Sequence, residues 1–363
     1  MKPTDLIRAD IATMEPYTPI FPYEVLAARL GRSPESIIKL DANENPYGPS
    51  PRVREALANL HYIHIYPDPD SRLLRAALAA FTGVPEEVLL AGAGADELLD
   101  LVMRLFLEPG DAILNCPPTF GMYTFDAAIS GAEVISVPRK GDFGLDLDAI
   151  EVAVRAHRPK LLFVTSPNNP DGSWVADEVL ERLLALPLVV VLDEAYVEFA
   201  GLERSRIGQV LERENLIVLR TFSKLAGLAG LRVGYGAFPA SLMPHLWKIK
   251  QPYNVSVAAS AAATAALGDL DWMLDKVTRI VTERARFAGQ LGDIPYLRPY
   301  VSEANFILCR VLERGAEELK LALEQEGILI RHYRTSRLHD HVRFTVGTPE
   351  QTDAVIAALR QWI

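Results

Sequence analysis

LRTFSKLAGLAGLRVGYG, residues 219–236, is the stretch on which the reading of this chain turns. Its first residues continue the apolar run Leu216-Ile217-Val218-Leu219, which reads as a buried strand. Lys224 stands where the strand pattern stops and a glycine-rich loop begins, behind the hydroxyls of Thr221 and Ser223. Arg232 follows eight residues later. A solvated surface lysine needs no such setting, whereas a reactive amine does.

Outward from this stretch, other strand candidates end in polar groups. LVVVLDEAY places Asp193 after a run of apolar residues, with Tyr196 three further on. LLFVTSPNNPDG ends in Asn168, Asn169 and Pro170, and VLLAGAGADE passes through glycines into a helix at Ala95 and Asp96. Helical patterns such as SRLLRAALAAF and ADELLDLVMRLF alternate with these strands. That alternation predicts an α/β lobe with a mostly parallel sheet, whose ligands bind beyond the carboxyl ends of the strands. Past about Asn254 the pattern changes to a long helical region, then NFILCRV, a helix, ILIRHY, VRFTVG and a last helix, which predicts a smaller α+β lobe. The expected division is 1–38 as an arm and helix packing with the small domain, 39–255 as the large domain and 256–363 as the small one.

Composition narrows the function. With 363 residues, 49% of them hydrophobic and 23% charged, the chain is long enough for a two-lobed globular unit. A net charge of −10 disfavours a nucleic-acid partner, so anionic ligands would need a local basic site. Cys116 and Cys309 lie in apolar contexts and are expected as buried free thiols in a reducing, cytoplasmic compartment. No apolar run is long enough to span a bilayer. His339 and His341 bracket Asp340 in an expected solvated loop, and no metal site is assigned.

Taken singly, each polar residue has an ordinary structural reading. Asp193 could cap a turn, Asn169-Pro170 could be turn chemistry, and Lys224 could snorkel to solvent. GAGADE could offer free backbone N–H groups to a phosphate, but it lacks the third glycine of a dinucleotide fingerprint. Their appearance together, in order and each at a strand end, favours one ligand site.

The set SPNNPDG, DEAY and Ser223-Lys224 with Arg232 resembles the signature of fold-type I pyridoxal-phosphate aminotransferases. Within that family, KLDANENPYGPSP (39–51), YPDP at Tyr66, GADE at Gly94, CPPTFGMY (116–123) and VRFTVGT (342–348) are similar to the histidinol-phosphate aminotransferase subgroup. The resemblance implies that Lys224 is the cofactor's covalent anchor and the base of the proton shift. It implies that Asp193 pairs with the pyridine nitrogen, that Tyr196 and Asn169 bond the phenolic oxygen, and that Phe120 stacks on the ring. Arg232, Thr221, Ser223 and the backbone N–H groups of Ala95 and Asp96 would hold the phosphate, and Tyr66 would reach the cofactor of a second subunit in a homodimer with shared sites. Many relatives carry tyrosine where Phe120 stands, so a hydroxyl is missing here. Arg343 would bind the amino donor's α-carboxylate; Arg331 would serve glutamate's distal carboxylate or the substrate phosphate. Tyr23 would lie near that phosphate, and Asn305 near the carboxylate. The implied partners are a phosphorylated amine and glutamate/2-oxoglutarate. An aromatic amino-acid aminotransferase and a pyridoxal-phosphate-dependent phosphoamino-acid decarboxylase are the competing readings on the same scaffold.

Overall fold

The computed structural model describes residues 1–14 and 23–362, Tyr23 by its backbone alone. A seven-stranded sheet forms the larger lobe. Its strands are β2 (Leu89–Gly92), β3 (Ala112–Asn115), β4 (Glu133–Ser136), β5 (Leu161–Thr165), β6 (Val189–Asp193), β7 (Leu216–Thr221) and β8 (Gly234–Ala237), in the order β2-β8-β7-β6-β5-β3-β4. The five strands from β7 across to β4 run parallel; β8 is antiparallel to both its neighbours. β5 and β7 are buried along their whole length, as expected of apolar runs covered on both faces. Register aligns Thr165 with Asp193 and Asp193 with Leu219. The polar residues that end β5, β6 and β7 therefore emerge side by side at one sheet edge.

The smaller lobe holds a five-stranded sheet in the order β1-β11-β12-β10-β9, built from β1 (Ile38–Leu40), β9 (Leu297–Pro299), β10 (Phe306–Val311), β11 (Ile328–His332) and β12 (His341–Thr345). β1 pairs in parallel with β11, so residues 38–40 join this sheet although 39 onward was expected in the large domain. The alanine-rich helix Val257–Leu267, expected in the small domain, packs instead against the helices Pro51–Ala58 and Arg72–Thr82 of the large lobe. Such a helix is apolar all round, so no stripe in its sequence indicates which layer it faces. The helix Tyr23–Leu30 packs Leu26 and Ala27 against Ile37 and Leu329 of the smaller lobe. His341, expected in a loop, opens β12 and is buried with its ring stacked on Tyr300. Cys116 and Cys309 are both free and buried, and burial pushes the Cys116 thiol up to about 12. Among the described residues no helix is long and apolar enough to cross a membrane.

The 219–236 stretch folds as β7, a tight loop and β8. Gly227 has φ +66°, and a Cβ there would lie 2.6 Å from the Gly48 carbonyl. That contact seats the loop on the 45–49 segment, where Asn45 Nδ2 donates to the Leu225 carbonyl at 2.9 Å. The ladder between β7 and β8 then returns the chain to the helix Ala95–Phe106, so Arg232 meets that helix's first turn.

Candidate active site

Two adjoining cavities open at the carboxyl edge of the large sheet. The inner one, of about 130 Å³, is lined by Ala95, Asp96, Phe120, Asn169, Asp193, Tyr196, Thr221, Ser223, Lys224 and Arg232, among others. Ten residues singled out in the sequence are thus brought together from six separate segments. The outer cavity, of about 710 Å³, shares Phe120, Asn169, Tyr196 and Lys224 with it and adds Arg331 and Arg343 from the smaller lobe.

Lys224 Nζ donates to the Ala42 carbonyl at 3.0 Å. Burial, reinforced by the nearby Arg343 guanidinium, lowers its pKa to about 8. A fraction of the amine is therefore neutral near pH 7, which a nucleophile and proton acceptor requires. Asp193 is buried; Oδ2 accepts from Tyr123 Oη at 2.6 Å and Oδ1 from the Ala195 N–H at 3.0 Å. Burial raises its pKa to about 6, against the lowering effect of the Tyr123 hydrogen bond. Among the described residues no cation pairs with it, so a buried carboxylate faces the inner cavity without a counter-charge. Tyr196 accepts from Asn43 Nδ2 at 3.1 Å, and burial raises its phenol to about 12, so it is a neutral donor.

The opposite end of the inner cavity is built from donors. Gly94 caps the helix Ala95–Phe106 at φ +85°, and the N–H groups of Ala95 and Asp96 lie in its first turn, where intrahelical acceptors are absent. A Cβ on Gly94 would sit 2.7 Å from Arg232 Nη2, so only glycine admits the guanidinium here. Arg232 is itself tied to Asp96 at 2.7 Å, and Thr221 Oγ1 donates to Ser223 Oγ at 2.9 Å.

On the outer wall, Arg343 Nη1 donates to Asn169 Oδ1 at 2.5 Å and Nη2 to the Asp41 carbonyl at 2.8 Å. Asn169 thus spends its carbonyl oxygen on the arginine and keeps its NH₂ for a ligand. Arg331 lines the same cavity, with its guanidinium 5.7 Å from the Tyr333 ring centroid. Among the described residues one sequence expectation is not met, that for Asn305. Asn305 lines neither cavity; it is fully buried and donates to the Asn43 carbonyl at 3.0 Å, so it supports the Asn43 loop from below. Tyr66 is 80% exposed, stacked on Tyr253 and apart from both cavities. The Tyr23 side chain lies outside the described residues. Conversely, Tyr123 and Asn43 were quoted inside motifs without a role, yet they are the direct partners of Asp193 and Tyr196.

The model of the aminotransferase class I and II family matches residues 35–359. The chain belongs to this aminotransferase family. Relatives of the aminotransferase include the chloroplastic histidinol-phosphate aminotransferase of Nicotiana tabacum, 56% identical over 98% of this chain and 86% of that protein. Another is the histidinol-phosphate aminotransferase of Roseiflexus castenholzii, 53% identical over 99% of this chain and 98% of that protein. Among solved structures, the histidinol-phosphate aminotransferase of Sinorhizobium meliloti in complex with pyridoxal-5'-phosphate superposes with a TM-score of 0.89. It is 28% identical, covering 99% of this chain and 98% of that one.

The aminotransferase's inner cavity fits that cofactor class by class. An aldehyde needs an amine, which Lys224 offers. A protonated ring nitrogen needs a carboxylate, and Asp193 is one that lacks a cation. The phenolic oxygen needs the donors Tyr196 and Asn169, and the phosphate needs Thr221, Ser223, Arg232 and the helix N–H groups. Phe120, on the wall of both cavities, supplies a ring face.

Proposed function

We propose that this pyridoxal-phosphate-dependent aminotransferase moves the amino group of L-histidinol phosphate to 2-oxoglutarate, giving imidazole-acetol phosphate and L-glutamate, as a step of histidine biosynthesis. The observation that carries this reading is the pair Arg331 and Arg343 on one wall of a cavity that also contains Lys224. Both exchange partners are anionic, and two guanidiniums next to one partly neutral amine can hold an anion while its α-carbon loses a proton. The identities of 56% and 53% to named histidinol-phosphate aminotransferases support the substrate.

Bound pyridoxal phosphate supplies the electron sink for the negative charge that develops at the substrate's α-carbon. The chain's own residues do the rest. Asp193, Tyr196, Asn169, Thr221, Ser223, Arg232 and the N–H groups of Ala95 and Asp96 hold the cofactor, with Lys224 as its covalent anchor. Lys224 Nζ would also be the base that takes the proton from the substrate's α-carbon and returns it at the end of the transfer. Arg343, fixed by Asn169 and the Asp41 carbonyl, orients the α-carboxylate of glutamate or 2-oxoglutarate; Arg331 serves their distal carboxylate or the phosphate of L-histidinol phosphate. Tyr23 remains a candidate for the phosphate end.

The same proposal includes a homodimer in which Tyr66 completes the partner's site. Tyr62, Ile63, Ile65, Tyr66 and Leu73 are all more than half exposed, an apolar band that a second copy would cover. It also includes a reducing cytoplasmic setting, consistent with two buried free thiols.

The test is a side-by-side assay of L-histidinol phosphate and phenylalanine, each with 2-oxoglutarate, read as glutamate formed. A kcat/KM for the phosphorylated amine that exceeds phenylalanine's by about a hundredfold or more is expected, since an unfilled anion site costs several kcal/mol. Equal or better use of phenylalanine overturns the substrate, and release of carbon dioxide without a keto acid would make the protein a decarboxylase. Absence of a borohydride-fixed adduct on Lys224 overturns the mechanism itself.

A further inference from the structure

The wall that carries the two arginines is held from the other lobe. A tight turn of the large lobe, closed by Lys140 N–H donating to the Gly144 carbonyl at 2.8 Å, projects Phe143 into the smaller lobe. Phe143 is 3% exposed and has φ +66°, a left-handed conformation unfavourable for a bulky side chain. Such strain persists only where the surroundings over-determine it. Here they do: Phe143 clusters with Leu308 and Leu338, and its ring meets that of Tyr300 edge-on at 5.0 Å. Arg337 lies 5.0 Å over the Phe143 ring and donates to the carbonyls of Arg139 and Lys140, closing the turn onto the 333–338 loop.

Tyr333 is where this latch meets the substrate cavity. It packs against the Phe143 cluster and lines the cavity. Its ring centroid lies 5.7 Å from the Arg331 guanidinium and 5.9 Å from that of Arg343. Arg343 has further anchors in Asn169 and Asp41. Among the described residues Arg331 makes no hydrogen bond or salt bridge through its side chain, so the Tyr333 ring is its fixed neighbour. Resting on the reading of Arg331 and Arg343 as the substrate's anion sites, we propose that Tyr333, braced by the Phe143–Arg337 latch, is a specificity-setting positioning residue that fixes the spacing between the two arginines. The spacing selects ligands whose second anion falls at a set distance from the first, and its brace reaches across from the large lobe through Phe143.

The test titrates the pyridoxal-phosphate-loaded protein with two unreactive probes, glutarate with two carboxylates and propionate with one. Replacing the ring by an alkyl group, Tyr333→Leu, weakens glutarate binding about tenfold, within the range of a partly desolvated cation–π contact, and leaves propionate within about twofold. Tyr333→Phe keeps the ring face and stays within about twofold for both probes. Phe143→Leu, at a residue that lines neither cavity, removes the ring under Arg337, loosens the latch and weakens glutarate about threefold with propionate unchanged. KM for 2-oxoglutarate rises in parallel while kcat is retained. Equal loss of both probes in Tyr333→Leu, or unchanged glutarate binding in Tyr333→Leu and Phe143→Leu, overturns the proposal. If Tyr333→Leu does not fold, Phe143→Leu decides alone. A wild-type protein that binds glutarate as described yet does not turn over L-histidinol phosphate would refute the proposed substrate and leave the arginine spacing standing.

Discussion

Asp193 is a site residue whose cost to the fold can be worked from its surroundings. The carboxylate is 5% exposed, and burial raises its pKa from 3.8 to about 6. A folded-state value above the unfolded one means that the native protein binds more protons than the unfolded chain between these two values, so stability falls as pH rises through that window. The penalty of the charged group is RT ln[(1 + 10^(pH − 3.8))/(1 + 10^(pH − 6))], with both pKa values those of Asp193. It comes to about 3 kcal/mol at pH 8 and roughly half that at pH 5. Asp193→Asn removes it. Cofactor-free Asp193→Asn protein should therefore gain stability over the cofactor-free wild type, and the gain should be larger at pH 8 than at pH 5 by on the order of 1 kcal/mol. That difference is insensitive to whatever the amide loses in hydrogen bonding to Tyr123 and Ala195, because such a loss is the same at both pH values. Urea unfolding of both proteins, stripped of cofactor with hydroxylamine and compared at the two pH values, measures it. With pyridoxal phosphate bound the order should reverse, since the cation at the ring nitrogen removes the wild type's penalty, and transamination by the variant should be severely slowed. A gain that does not grow with pH, or a variant less stable than wild type at pH 8, would refute the claim that Asp193 is a buried charge awaiting a cation.

Four further outcomes follow from the same geometry. Lys224→Arg should abolish the borohydride-fixed adduct and lower kcat by about 10²–10⁴, the usual contribution of a positioned proton acceptor. In the wild type, capture of pyridoxal phosphate by the stripped protein should speed up as pH rises through about 8, where the Lys224 amine becomes neutral, and stopped-flow absorbance reads this directly. Gly94→Ala, forced to φ +85° with its Cβ 2.7 Å from Arg232 Nη2, should weaken cofactor binding in equilibrium dialysis. Its urea midpoint should reflect a loss of about 1–3 kcal/mol. Arg220→Met should cost about 3–5 kcal/mol in urea unfolding, because it strands Glu194, 3.0 Å from Arg220 and 1% exposed, as an unpaired buried carboxylate.

The inner site was legible because its chemistry and its topology share one code. In a parallel sheet the chain must leave each strand at the same edge, so Asp193, Thr221 and the residues after Thr165 converge whatever the loops do. Strand runs long enough to read as buried locate that edge, and several polar residues ending neighbouring strands together favour a ligand site. Lys224, Arg232 and the Gly94–Asp96 helix start could be named for the same reason. Asn305 was misjudged because a polar residue within an apolar strand looks the same on paper whether it faces a cavity or braces a loop. The burial of its side chain and its bond to the Asn43 carbonyl separate the two.

The partners of these residues needed the folded chain. Tyr123 lies 70 positions from the carboxylate it bonds, and Asn43 lies 153 from the phenol it bonds. No local period connects such pairs. The lobe assignments of residues 38–40 and of the helix Val257–Leu267 were likewise settled by packing, since an apolar strand or an all-apolar helix can be buried against either layer. By itself the sequence determined the scaffold and the gathering of Thr221, Ser223, Lys224 and Arg232 at one strand end, because these depend on strand period and on residue types at strand ends. Only the tertiary structure decided where the substrate's cations stand. Arg331 and Arg343 face each other across β11 and β12, and their spacing is set by Tyr333, Phe143 and Arg337, drawn from two lobes by contacts that side-chain shape makes and sequence order does not.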